Sequence, residues 1–460
     1  MGRGIKRAAM KSTYLVTTVS VASVLTLFGL AAPVQAQCVG DCDANGFVTI
    51  DELVRGVNIA LDAAPLAGCP VFDADASGTV TVDEVITAVN YALDACPVAA
   101  GNVTVFNGQD NNLDAYDPAN KFLRQRVVPS NAIAPGGGGR DSNGQICFHR
   151  DAQGLHFIDG EDTNQGDSHL TAGWGYFLLT GTQVGGFSYQ EVGKMTPTYQ
   201  QTPDGAENYG CGFLSDGRLL TTDVGNQASG VGNGQLIIWF PPFDNGAVYS
   251  DTGVRPTTPA HYCKLDIAIG TAGGIYVDKQ DRIYVPSARI APGFGPAIYR
   301  YTGPFPTSDT AAGGCGQQDN TGAPLVDANT VTKEKFIAPD LVNIVTPNAI
   351  VASPKGTFYV SSVYNGVIAE FDTNGVFVRR ILSPVAGESL PFPSTGTPLG
   401  IGVDSNGTVY YADIGVVGMS GPGDYNGSVR RIQFVNDQPQ APEIMDSGLN
   451  FPDGIGILEE

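Results

Sequence analysis

Basic residues are scarce in this chain: lysine and arginine number 25 among 460 residues, against 46 aspartates and glutamates, for a formal charge of −21. A phosphate backbone is held mainly by clustered cations, so nucleic acid is excluded as a partner. Histidine is as thin, and His149, His156, His169 and His261 are scattered, so they read as packing residues rather than a metal pair. No Gly-x-Ser-x-Gly elbow and no Cys-x-x-Cys-His occurs, which argues against serine-hydrolase and haem chemistry. The run Gly136-Gly-Gly-Gly-Arg140 lacks the lysine and following helix of a phosphate-binding loop and reads as a connection. Asp159-Gly-Glu-Asp162 with Asp167 offers a surface cation site, against which a solvated acidic turn is the default reading.

A second long apolar run is also missing, so no membrane span is expected once the leader is removed. That leader is residues 1–36: Arg3, Lys6, Arg7 and Lys11 precede an apolar stretch from Leu15 to Ala32, and Pro33-Val-Gln-Ala36 supplies small residues for cleavage. The pattern predicts a secretory signal peptide and a secreted protein, extracellular or periplasmic. An uncleaved anchor is the rival reading, because the run approaches the ~20 residues of a span. Cleavage removes four positive charges and takes the formal charge from −21 to −25. Eight cysteines remain (38, 42, 69, 96, 147, 211, 263, 315), an even count that in an oxidising compartment favours disulfides over thiolate chemistry. Four fall before residue 97 and four beyond it, which predicts two separately closed sets with the pairing inside each left open.

Glycine (60) and proline (30) are plentiful, a composition suited to many short strands and turns. Two twelve-residue segments stand out first, Asp41 to Glu52 and Asp73 to Glu84. Each places oxygen ligands at positions 1, 3 and 5 (Asp41, Asp43, Asn45; Asp73, Asp75, Ser77), glycine at 6, a carbonyl donor at 7 (Phe47; Thr79) and glutamate at 12 (Glu52; Glu84). A hard cation takes roughly six to eight oxygens, and the glycine lets the backbone turn sharply enough to supply the seventh-position carbonyl. Calcium, two ions, is the cofactor this spacing predicts. Residues 48–63 recur at 80–95, and Leu53, Val54, Val57 and Leu61, like Val85, Ile86, Val89 and Leu93, follow helical spacing, so each loop leads into one amphipathic helix. No entering helix is expected, because Pro65-Leu-Ala-Gly-Cys-Pro70 before the second loop forms helix poorly.

Tandem calcium loops each followed by a single helix resemble the type I dockerin module, over residues 37–98. The resemblance implies a cohesin-like partner met largely through loop positions 10 and 11. Those positions hold Ile50-Asp51 and Val82-Asp83 rather than small hydroxyl pairs, so a calcium-stabilised appendage stands as a reading beside docking.

Beyond a short connector a second repeat runs through residues 101–460. Apolar strand, Ser/Asp-rich turn and second Tyr/Val/Phe strand recur from 147, 210, 274, 349 and 400, and a final start at Gly454 stops at the C-terminus. Four strands per period of 50 to 75 residues is a propeller blade. The three strands missing from the sixth blade are available near Asn102 to Phe106, Asn112 to Asp117 and Lys121 to Val128. The fold expected is therefore mainly β, a six-bladed β-propeller closed by both termini and preceded by a small α-helical calcium-binding module.

The residue before each inner strand is expected at the channel mouth: Ile146, Tyr209, Gly273, Asn348, Leu399 and Asp453. Thr346-Pro-Asn-Ala-Ile350 and Phe451-Pro-Asp-Gly-Ile455 resemble the metal-ligand motifs of the SMP-30/gluconolactonase family, six-bladed propellers; NHL-type propellers share much of the same repeat. The first resemblance implies one divalent cation in the channel, held by Asn348 and Asp453 with Glu207 as a distant third candidate, and hydrolysis of lactones. The family's Glu-Gly-Pro motif has no match here. The function expected is an exported calcium-binding propeller that binds a small molecule or a protein partner at its channel, with the metal-dependent lactone hydrolase as the alternative.

Overall fold

The computed structural model describes residues 39–42, 48–74, 77–94, 103–109, 112–119, 122–128, 141–162, 173–183, 186–195, 208–225, 233–246, 261–288, 295–320, 322–418 and 421–459. The chain divides into two compact units, Met1–Pro97 and Val98–Glu460. Among the described residues no helix is long and apolar enough to cross a membrane.

In the first unit, helix α1 (Ile50–Ala60) and helix α2 (Val82–Asp94) each follow one of the two loops. The α1 start is written locally. Thr49 takes the Glu52 amide on its side chain while the Glu52 carboxylate accepts the Thr49 amide, closing a capping box. Between the helices only single 3₁₀ turns occur, Leu66–Gly68 and Pro70–Phe72, as the proline-flanked linker implies. A small core of Val39, Val48, Ile59, Phe72, Val80 and Ala88 is closed by the Cys42–Cys69 disulfide. Of the apolar spacing in α1, Leu53 reaches this core, whereas Val54, Val57 and Leu61 are exposed. The inward face is instead Glu52, Gly56 and Ile59.

Among the described residues the second unit is built of six blades of four antiparallel strands each; the sheet of blade 2 is extended to six strands, and Phe434–Val435 and Gln438–Pro439 form a separate two-stranded ribbon. From inner to outer strand, blade 1 is Asp141–Asp151, Gly154–Asp162, Gly173–Thr182 and Gly186–Met195. Blade 2 is Asn208–Phe213, Leu219–Asp223, Gln235–Trp239 and Tyr262–Asp266. Blade 3 is Tyr276–Val277, Ile283–Ser287, Ala297–Thr302 and Thr332–Ile337. Blade 4 is Pro347–Ala352, Phe358–Ser362, Val367–Phe371 and Phe377–Leu382, and blade 5 is Pro398–Val403, Val409–Asp413, Gly427–Ile432 and Glu443–Leu449. Inner strands of successive blades touch all the way round, and that of blade 5 touches Gly454–Glu459, which in turn meets blade 1. The ring is closed: this is a six-bladed β-propeller.

Closure is by both ends of the unit. Gly454–Glu459 is the inner strand of blade 6 and pairs antiparallel with Val103–Gln109, from Val103 opposite Glu459 to Gly108 opposite Gly454. Asn112–Asp117 and Leu123–Val128 complete that blade. The seam is tight enough to dictate residue type. A Cβ on Gly454 would lie 1.4 Å from the Gly144 carbonyl oxygen of blade 1, so only glycine fits.

Because each blade is covered on both faces by its neighbours, strands in the middle of a blade read as continuous apolar runs rather than alternating ones. In Gln235–Trp239, Leu236 and Ile238 pack with Ile283 and Val285 of blade 3, while Ile237 and Trp239 pack with Ile158 and Trp174 of blade 1. Two disulfides chain three blades together: Cys147–Cys211 joins the inner strands of blades 1 and 2, and Cys263–Cys315 ties blade 2 to the long connection between the last two strands of blade 3. That connection lays Pro324–Leu325 parallel to Tyr262–Asp266 and Gln317–Gln318 outside it, covering the edge of blade 2, and seats Asp319 against the buried Lys264 ammonium. The three disulfides suit an oxidising compartment. Their pairing respects the two expected sets; Cys38 and Cys96 lie outside the described residues.

Candidate functional site

Three of the six expected mouth positions stand together. Tyr209, Asn348 and Asp453 belong to blades 2, 4 and 6, so alternate blades deliver them to one place. The Tyr209 hydroxyl donates to the Asp453 backbone carbonyl at 3.1 Å. The Asp453 carboxylate accepts the Gly144 amide of blade 1 at 2.9 Å, and its own amide donates to Gly108 at 3.1 Å. Burial, with Asp453 close by, pushes the Tyr209 phenol well above its ordinary value, so it is a permanent donor. The Asn348 side chain leans on the same hydroxyl and pulls against that shift, although its Nδ2 completes no hydrogen bond of ordinary geometry.

The blade 1 position departs from the expectation. Ile146 is buried in the core rather than placed at the mouth, and Gln145 takes the channel position. The pairing of the first two strands shifts register between Asn143 and Cys147, and a one-residue slip moves a side chain to the opposite face. Gln145 then reaches across to blade 3: its Nε2 donates to Ile275 at 2.9 Å and its Oε1 accepts the Ile275 amide at 2.8 Å. With Tyr209, Gly274, Ile350, Gly400 and Ile455 it encloses an axial space of about 10 Å³. That is room for about one water molecule. Leu399 packs in a small apolar cluster with Val363, Ile414 and Val416. Glu207 lies outside the described residues. Among the described residues, no group of three or more His, Cys, Asp or Glu side chains gathers into a cation seat.

His149 and His156 are cross-strand neighbours in blade 1, as their spacing suggested, and both serve in packing. His149 stacks on Phe213 and His156 on Tyr176, each with ring centroids 4.4 Å apart.

The calcium-type loops show the same local design twice. Glu52 and Glu84, at position 12, are buried, and each carboxylate accepts the amide of loop position 2, Cys42 at 2.8 Å and Ala74 at 2.7 Å. Each also accepts the amide and hydroxyl of the helix N-cap, Thr49 or Thr81. In the second loop Asp73 accepts the amides of Ser77 and Gly78, both at 2.8 Å, with Gly78 at φ +87° as position 6 requires. The Ser77 hydroxyl then stands 3.4 Å from Asp73 Oδ1 and 3.1 Å from the Thr79 carbonyl. Oxygens from positions 1, 5 and 7 thus converge as ligands of one hard cation would, so the residues fit calcium. Asp41 is buried. Asp43, Asn45, Phe47 and Asp75 lie outside the described residues. Position 10 is turned outward in both loops, with Ile50 79 % and Val82 72 % exposed.

No protein-family model matches the chain and no curated protein does either. Solved structures similar to it include a streptogramin B lyase (13 % identity, TM-score 0.37, covering 75 % of this chain and 79 % of that one). A luciferin-regenerating enzyme (10 %, TM-score 0.43, 76 % and 96 %) and a nidogen/laminin complex (11 %, TM-score 0.43, 78 % and 100 %) are others. At this distance they carry no functional argument.

Proposed function

We propose that this chain is an exported, calcium-stabilised recognition protein whose propeller binds a small molecule or protein partner at the channel mouth. The observation that supports this reading is Asn348, which is partly exposed beside the Tyr209 hydroxyl and whose Nδ2 completes no hydrogen bond of ordinary geometry. Such a group orients a polar ligand. Calcium is assigned to the N-terminal loops, where it would offset the mutual repulsion of the ligand carboxylates. The exposed Ile50, Val54, Val82 and Ile86 are the face a cohesin-like or other protein partner would meet.

The alternative is metal-dependent lactone hydrolysis on the SMP-30/gluconolactonase pattern, for which Asn348 and Asp453 standing together is the favouring observation. It requires a third ligand such as Glu207. Thermal-shift screening of the full chain against monosaccharides, sugar lactones and phenolic compounds, with Asn348→Ala as control, tests the binding reading. Compounds that stabilise the parent chain and not the variant support it. A screen in which the two proteins respond alike contradicts it.

A further inference from the structure

The aspartate that a channel cation would need is already committed. Its carboxylate Oδ2 holds the Gly144 amide of blade 1, its amide holds Gly108 of the neighbouring strand, and its carbonyl receives the Tyr209 hydroxyl of blade 2. Asp453 is 2 % exposed and immediately precedes the strand that closes the ring. Gly144 lies at φ +82°, and a Cβ there would stand 2.2 Å from the Tyr209 carbonyl oxygen, so blades 6, 1 and 2 meet backbone to backbone at this point. Among the described residues no group of three or more His, Cys, Asp or Glu side chains gathers around Asp453 to supply the further ligands a cation takes. The described residues do not fit an ion there.

We infer that Asp453 is the latch of the propeller: it joins blade 6 to blades 1 and 2 by hydrogen bonds and is no metal ligand. The closing blade is assembled from segments some 340 residues apart, so its seam carries a larger loop-closure entropy than any other in the ring. A charge-assisted bond across that seam is placed where a lost contact would open the ring first. The latch goes beyond the recognition reading, and each can fail alone, because one is read from ligand response and the other from local opening.

The test is hydrogen exchange by mass spectrometry on the full chain, following the peptides that cover 141–151 and 454–459, with and without added manganese or zinc. Asp453→Ala is expected to speed exchange in both peptides by about tenfold. Asp453→Asn, which keeps an acceptor for Gly144, should leave them within about threefold of the parent chain. Added metal should change neither. If Asp453→Ala does not fold, Tyr209→Phe removes one of the three bonds and should speed exchange in 454–459 while distant blades stay protected. Asparagine behaving like alanine, metal-dependent protection present in the parent and absent from Asp453→Asn, or an unaltered seam in Tyr209→Phe overturns the latch.

Discussion

His156 sits between blades 1 and 2 with 2 % of its surface exposed, stacked on Tyr176 and 3.4 Å from Asp151. Burial, opposed by the nearby Asp151 and Asp244 carboxylates, lowers its pKa below 6.5, and His149 beside it is lowered by burial as well. A base whose folded pKa is depressed binds fewer protons folded than unfolded, so its contribution to stability is intact above pH 6.5 and falls away as pH drops below that value. His156→Phe, which keeps the stack and removes the titration, should move the midpoint of acid unfolding to lower pH in circular dichroism. An unchanged acid limb would refute this role. At this scale the sequence was legible where chemistry is local. The sharp turn at Gly78 and the helix that follows each calcium-type loop could be read, because the loop spacing is itself the constraint. The placement of Gln145 rather than Ile146 in the channel could not, because a bulge between Asn143 and Cys147 shifts register without a distinctive residue signal.

Single elements carry two further expectations. Without calcium, the carboxylates of each loop repel one another, and a core as small as Val39, Val48, Ile59 and Phe72 is marginal by itself. Chelation with the disulfides reduced should therefore abolish the helical signal of α1 and α2; helicity and protease resistance surviving excess chelator would contradict it. Thr49→Ala removes half a capping box and should cost about 1 kcal/mol, read as a lower calcium-loaded melting midpoint of that unit. The helices themselves were predictable from apolar spacing, but their inward face was not. That face includes Gly56 and the loop-closing Glu52, neither of which registers in a hydrophobic pattern, whereas Val54 and Val57 point outward.

For the molecule as a whole, the repeat of apolar strand, turn and aromatic strand was enough to count blades and to assign the C-terminal segment to strands near Val103. Long-range pairing was legible because Gly454–Glu459 had no other strands left to join. The arm from blade 3 over blade 2 was not legible, since its strands are two residues long and are held by a disulfide and the Lys264–Asp319 pair. Deleting residues 454–460 strips the inner strand from blade 6 and exposes two sheet edges. The propeller should then lose its cooperative melting transition, and a deletion that melts like the parent chain would refute closure by both termini.

The most direct test of a calcium-stabilised recognition protein is the number of divalent ions bound per chain, measured by native mass spectrometry alongside lactone turnover. Two calcium ions are expected, both lost when Asp41 and Asp73 are replaced by alanine, with no metal-dependent hydrolysis. A further ion that survives that double replacement, disappears in Asp453→Asn and accompanies lactone turnover would contradict that expectation.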